Sequence, residues 1–127
     1  MQETVLYYRL SESMKTPIVA ILSQLDVCLK EINEEDAYQQ MGYLLGLPGF
    51  KERDGEVKKD LSQPFLFFAH FSSEQIDLVL DVFKQAGVPY IPYKAMLTND
   101  NVVYSFEDVY TNVENEYLHL TNRIDKS

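Results

Sequence analysis

One cysteine, two histidines and no tryptophan stand among the 127 residues of the chain. A lone Cys28 cannot close an intramolecular disulfide, and it places the chain with proteins of a reducing compartment. With His70 and His119 it falls short of the strong donors that a zinc site takes at regular spacing, so no metal and no cofactor is expected. Positive charge is scarce as well: 11 Lys and Arg against 20 Asp and Glu leave a net charge of −9. Such a surface repels nucleic-acid phosphates and anionic lipid, and no Lys/Arg cluster overrides it; neither nucleic acid nor membrane is an expected partner. Long apolar runs are missing, the stretch 64–69 being far shorter than the roughly 20 residues of a membrane-spanning helix. The first ten residues have no basic leader region and alternate as a strand does, so they are read as part of the fold and the location as cytoplasmic.

What is present is ordinary globular composition, 46% hydrophobic and 24% charged, which predicts one domain over residues 1–127 with a real core. Residues 4–10, rich in β-branched and aromatic side chains, read as a strand. Thr16 before Pro17 reads as the N-cap of a helix with Ile18, Ile21, Leu22 and Leu25 on one face. Val27, Leu29 and Ile32 alternate as a short strand. Asn33 then caps a predicted helix with Glu34, Glu35 and Asp36 in its first turn and a stripe of Ala37, Tyr38, Met41, Leu44 and Leu45, stopped by Gly46 and Pro48. Residues 51–63 mix both charge signs around Gly55 and are expected to be a mobile connector. The apolar run 65–71 predicts a strand buried on both faces. Ser72 and Gln75 form a capping box for a helix carrying Ile76, Val79, Leu80 and Phe83 and ending at Gly87. Two prolines confine the extended stretch 88–93 to a sheet edge. After a loop at 98–101, Ser105 and Asp108 open a last helix with Phe106, Val109, Tyr110, Val113 and Tyr117 as its stripe.

Shifting the chain by 61 positions lays Ile18 on Val79, Leu22 on Phe83, Gln24 on Gln85 and Val27 on Val88. Residues 5–8 match 65–68 one step out of phase, which a single-residue indel would explain. The expectation is an internal pseudo-repeat, about 1–50 and 62–122, joined by the charged loop 51–63. Each half runs strand, helix, strand, helix. Right-handed crossovers then favour a four-stranded sheet with the two long strands central. The predicted class is α/β, a ferredoxin-like sandwich with extra helices, the alternative being a small doubly wound sheet.

Residues 42–50, GYLLGLPGF, together with 64–68, Tyr90-Ile91-Pro92 and 98–110, resemble a family of small bacterial proteins catalogued only as a domain of unknown function. The likeness is best over 42–50 and 64–110. In that family the stretch matching 97–110 runs Leu-Thr, a downstream Asn, then Trp; here Thr98 and Asn101 match and Tyr104 stands in the tryptophan's place. The resemblance implies a bacterial, cytoplasmic single domain and implies no activity.

Candidate chemistry is sparse. His70 titrates near neutrality and could act as a general base, but no nucleophile stands beside it, and Ser72 is accounted for by capping; a hydrogen-bonded structural histidine is the simpler reading. The acids at 34–36 are what a helix dipole favours without any cation. Cys28, with only Lys30 to lower its pKa, reads as a structural thiol. Nine Tyr and seven Phe could in principle stack bases, but the acidic balance and the missing RNA-binding signature point to core packing. The turns 11–13 and 72–74 follow the two long strands, where open α/β sheets bind ligands; Arg9, His70, Ser72, Tyr93 and Lys94 are the candidate ligand-binding residues. Leu47, Pro48 and Phe50 carry apolar surface from a helix into a loop, either as a buried anchor or as a partner contact. The preferred function is a noncatalytic protein-binding or self-associating regulatory module. A small-metabolite or anion sensor at the strand carboxyl ends is the alternative, and an enzyme with His70 as base comes last.

Overall fold

The computed structural model describes residues 2–125. Four strands, β1 (Thr4–Tyr8), β2 (Cys28–Glu31), β3 (Phe65–Ala69) and β4 (Lys94–Met96), form one open mixed sheet in the order β2-β1-β3-β4. Four helices are interspersed: α1 (Glu12–Gln24), the single-turn α2 (Met41–Leu44), α3 (Ser73–Gln85) and α4 (Phe106–Asp125). The two long strands are central, as expected, and the arrangement is consistent with an α/β ferredoxin-like layout carrying extra helices. Each half pairs its own strands directly, β1 parallel to β2 and β3 parallel to β4, while β1 and β3 meet antiparallel with Leu6 opposite Phe67.

All five residues of β3 are buried, as its unbroken apolar run predicts. Alternation divides the sheet's side chains between two cores. Val5, Tyr7, Leu66 and Phe68 pack with Ile18 and Leu22 of α1 and Val79 and Phe83 of α3. Leu6, Tyr8, Phe65 and Phe67 pack on the opposite face with Met41 of α2 and Phe106, Val109 and Tyr110 of α4. Ring pairs tie that second core together: Tyr8 and Phe65 lie 5.0 and 5.1 Å from Phe106, and Tyr93 lies 5.4 Å edge-on to Tyr110.

Several local expectations are corrected. Helix α1 begins at Glu12 after Ser11, not at Thr16, so Pro17 lies inside it. Its stripe Met14, Ile18 and Leu22 is worth more than the one amide bond to Ser13 that proline forfeits, because full burial of each large aliphatic contributes about 1.5–3 kcal/mol. The helix expected from Asn33 breaks into a 3₁₀ turn, Glu34–Asp36, and α2. Asn33 makes no side-chain cap. Gln40 between the two pieces is extended and bridges Ser105, and Met41 N–H donates to Tyr104 O at 2.8 Å. The edge strand starts at Lys94, after Pro92, because neither Pro89 nor Pro92 can donate to the ladder.

The connector 51–63 is pinned rather than free. Gln39, buried to 1% exposure, donates Nε2 to Arg53 O and accepts Arg53 N–H at Oε1, both at 3.1 Å. Glu107 Oε2 accepts the N–H groups of Lys58 and Lys59 at 2.7 and 2.9 Å. Tyr8 O–H donates to Leu61 O at 2.6 Å, and Gln63 N–H donates to Tyr110 Oη at 2.9 Å. The charges on this segment masked its backbone, which side chains of the core hold on both sides.

Positions 61 apart also carry matching geometry without the expected one-residue slip. Strand β1 lies 61 before β3, and α1 lies 61 before α3. The positive-φ residues Arg9 and His70 keep the same spacing, as do Asp26 and Gly87.

Pro17→Ala restores the missing amide and is expected to stabilise the fold by about 2 kcal/mol, roughly 3 gained in the helix less about 1 from a freer unfolded chain. Urea unfolding measures it. Gln39→Ala removes both hydrogen bonds to the Arg53 backbone and is expected to cost about 1–2 kcal/mol. Limited proteolysis should then cut first within residues 51–63, where the parent protein resists.

Candidate functional site

The two halves differ most between helix and edge strand. Pairing sets Leu29 opposite Val5 and Lys94 opposite Leu66, so the edge strands stand 65 positions apart while the strands and helices before them stand 61 apart. Four extra residues, Pro89-Tyr90-Ile91-Pro92, account for the difference. They follow Gly87, whose φ of +79° turns the chain out of α3, and Val88, whose N–H closes the helix end on Phe83 O at 2.9 Å.

This insertion makes one wall of a cleft of about 470 Å³ beside α3. Leu66, Leu80, Phe83, Val88 and Ile91 give it an apolar lining, and Asp77, Asp81, Lys84 and Lys94 bring charge to it. The size lies within the roughly 300–1,000 Å³ of small-ligand sites. Lys94 is the half-buried cation of the cleft. Its Nζ donates to Ile91 O and sits 4.4 Å from the centroid of the Tyr90 ring. It forms no ion pair with a described residue. Burial depresses its pKa below the ordinary 10.5, since desolvation disfavours the charged form. Tyr90, 79% exposed, stands at the mouth.

Of the five candidate ligand residues, only Lys94 lines this cleft. Tyr93 is its neighbour in sequence but faces the other core, against Tyr110 and Tyr117. Antiparallel pairing of β1 and β3 sends their carboxyl ends to opposite ends of the sheet, which parts Arg9 from His70 and Ser72. Arg9 donates Nε to Tyr8 Oη at 3.2 Å and pairs with Glu34 at 3.2 Å. Burial raises the pKa of Tyr8, and the bond from Arg9 opposes that rise. Ser72 is engaged in the capping box, accepting Gln75 N–H at 3.1 Å while its own N–H donates to Gln75 Oε1 at 2.8 Å. His70 adopts φ +68° and ends β3; no described group bonds its ring, contrary to the hydrogen-bonded reading.

Elsewhere, the ring of half-buried Phe50 lies against Gly42, where an added Cβ would come within 2.5 Å of it. Leu47 is half-buried and Pro48 exposed. Cys28, expected to be structural, is exposed on the edge strand β2. Among the described residues, no three His, Cys, Asp or Glu side chains gather as a metal site would require, and no helix is long and apolar enough to cross a membrane.

The sequence reading missed Asp77, Asp81 and Lys84. Their spacing of i, i+4 and i+7 on α3 was the available signal, a charged flank beside the apolar stripe of Val79 and Phe83.

Fold and cleft together define an open-sheet α/β domain with a small-molecule-sized recess on its second strand-helix-strand unit. Residues 64–118 match the family described as Domain of unknown function (DUF3783). The match spans β3 to α4 and contains every residue of the cleft; the stretch 42–50 lies outside it. No curated protein and no solved structure matches the chain.

Lys94→Leu is expected to stabilise the protein at neutral pH. The sign follows from the depressed pKa: the folded state pays to hold the cation while Lys94 is protonated, and that cost fades as pH rises through the folded pKa and is gone above the unfolded value of 10.5. Urea midpoints of the two proteins should therefore differ most near pH 7 and converge toward pH 10.5.

Proposed function

We propose that this protein is a noncatalytic binding module that takes a small organic ligand in the cleft between α3 and β4. The observation carrying this reading is Lys94, a half-buried ammonium among apolar walls with no carboxylate partner among the described residues. A cation so placed is an anchor for an anionic group, and the walls suit an apolar body. The alternative of a metabolite sensor is thereby preferred over a partner-binding module, with its site moved from the strand carboxyl ends to the amino end of β4.

A thermal-shift screen of amino acids, short carboxylates, nucleotides and phosphate esters tests it. A true ligand at a hundred times its Kd should stabilise the fold by about 2.7 kcal/mol and lose that effect in Lys94→Leu. Stabilisation by none of them at millimolar concentration contradicts the reading.

Self-association is the second reading. It rests on Leu25 of the turn after α1 and Leu78 and Val82 of α3, exposed on the layer where α1 and α3 lie side by side. Light scattering over a wide concentration range decides it, and a strict monomer excludes it.

A further inference from the structure

The two halves supply an internal control for what the fold itself requires. Helix α1 stands 61 positions before α3, and the β1–β2 ladder sets Leu29 where the β3–β4 ladder sets Lys94. Every charged residue of the cleft is uncharged at its counterpart: Asp77 corresponds to Thr16, Asp81 to Ala20, Lys84 to Ser23 and Lys94 to Leu29. The same strand-helix-strand unit is therefore built in β1–α1–β2 with none of these four charges. None of the four forms an ion pair with a described residue, and Lys94 meets only the Ile91 carbonyl and the Tyr90 ring. The insertion 89–92, which deepens the recess, is confined to the same half.

We propose that the cleft binds an apolar α-amino acid as its zwitterion, its carboxylate on Lys94 and its ammonium held by Asp77 and Asp81. This rests on the reading of the cleft as a ligand site and names the ligand class. Three features select it. Lys94, the half-buried one of the cleft's two lysines, has no carboxylate partner among the described residues and calls for an anion, and a single carboxylate matches its point charge. Asp77 and Asp81, one turn apart on α3, balance Lys84 and Lys94, so the site has no net charge to hold a dianion such as a phosphate monoester, and the aspartates attract a cation. Leu66, Leu80, Phe83, Val88 and Ile91 reject a polar side chain and favour an aliphatic or aromatic one, with the Tyr90 ring exposed at the mouth beside Lys94. A ligand carrying one charge of each sign leaves the net charge of the site unchanged and satisfies both sets of protein charges.

Isothermal titration calorimetry of the full chain tests this with four probes: L-phenylalanine, L-leucine, 3-phenylpropionate, which lacks the ammonium, and 2-phenylethylamine, which lacks the carboxylate. Binding of the two amino acids, with each truncated analogue weaker by about tenfold or more, is the expected result, because each truncation leaves a charged protein group unpaired. Lys94→Leu should lose amino-acid binding while retaining the fold, since the substituted residue is the counterpart in β2. Asp77→Asn with Asp81→Asn should weaken L-phenylalanine about tenfold or more and leave 3-phenylpropionate unchanged or tighter. Backbone amide NMR of the unmutated protein must place the L-phenylalanine shifts at residues 77–94, which keeps the test independent of any variant's folding. Equal affinity for L-phenylalanine and 3-phenylpropionate overturns the zwitterion assignment. Silence of all four probes, while another compound of the thermal-shift screen binds through Lys94, overturns the ligand class and leaves the cleft as a binding site. Silence of these four and of the whole screen overturns both.

Discussion

The antiparallel seam between β1 and β3, with Leu6 opposite Phe67, is the constraint on which the rest of the structure depends. Both strands are packed on both faces, so neither can turn a side toward water. Because the strands run in opposite directions, each parallel partner must be added on an outer side. Right-handed crossovers then bring α1 and α3 onto one face. The other face needs its own cover, and α2, α4 and the pinned connector 51–63 provide it. The same seam leaves β2 and β4 as edges. At the β4 edge four extra residues can accumulate without disturbing a ladder, and there the cleft forms.

What local sequence could reveal followed from how local its physics was. The apolar run of β3, the capping box of Ser72 and Gln75 and the stripe of Phe106, Val109 and Tyr110 are decided by residues a few positions apart, and each stands where the sequence predicts it. Pro17 misled because its cost is local while the burial that outweighs it, at Ile18 and Leu22, comes from a sheet 10 residues earlier in the chain and from its partners. Gln39 and the connector were illegible for the same reason. A side-chain amide gripping a backbone 14 residues away leaves no pattern in composition.

The candidate site was partly legible. Lys94 was among the candidates as a polar neighbour of the strand carboxyl ends, but the company it keeps is set by strand direction, which no short motif encodes. Arg9 and His70 hold equivalent positions after their strands and are parted for that very reason. Asp77, Asp81 and Lys84 form the exposed flank of an amphipathic helix, and only the turn at Gly87 and the insertion beyond it make that flank a side of the cleft. Comparison of the two halves separates the residues that build the unit from those added to it. The builders, Ile18 and Val79 or Leu22 and Phe83, keep their apolar character in both halves; the four charges of the cleft occur in one alone.

Lys94 is thus a half-buried cation without a carboxylate partner among the described residues, set in a recess that suits a ligand, where burial disfavours its charge. An NMR titration of its ε-methylene and Nζ signals, assigned by their loss in Lys94→Leu, tests that claim most directly. The account predicts a midpoint below the ordinary lysine value of 10.5, because the cleft wall strips water from the ammonium and offers no carboxylate in return. A midpoint at or above 10.5 would mean that the ammonium is fully solvated or already paired, and would contradict it.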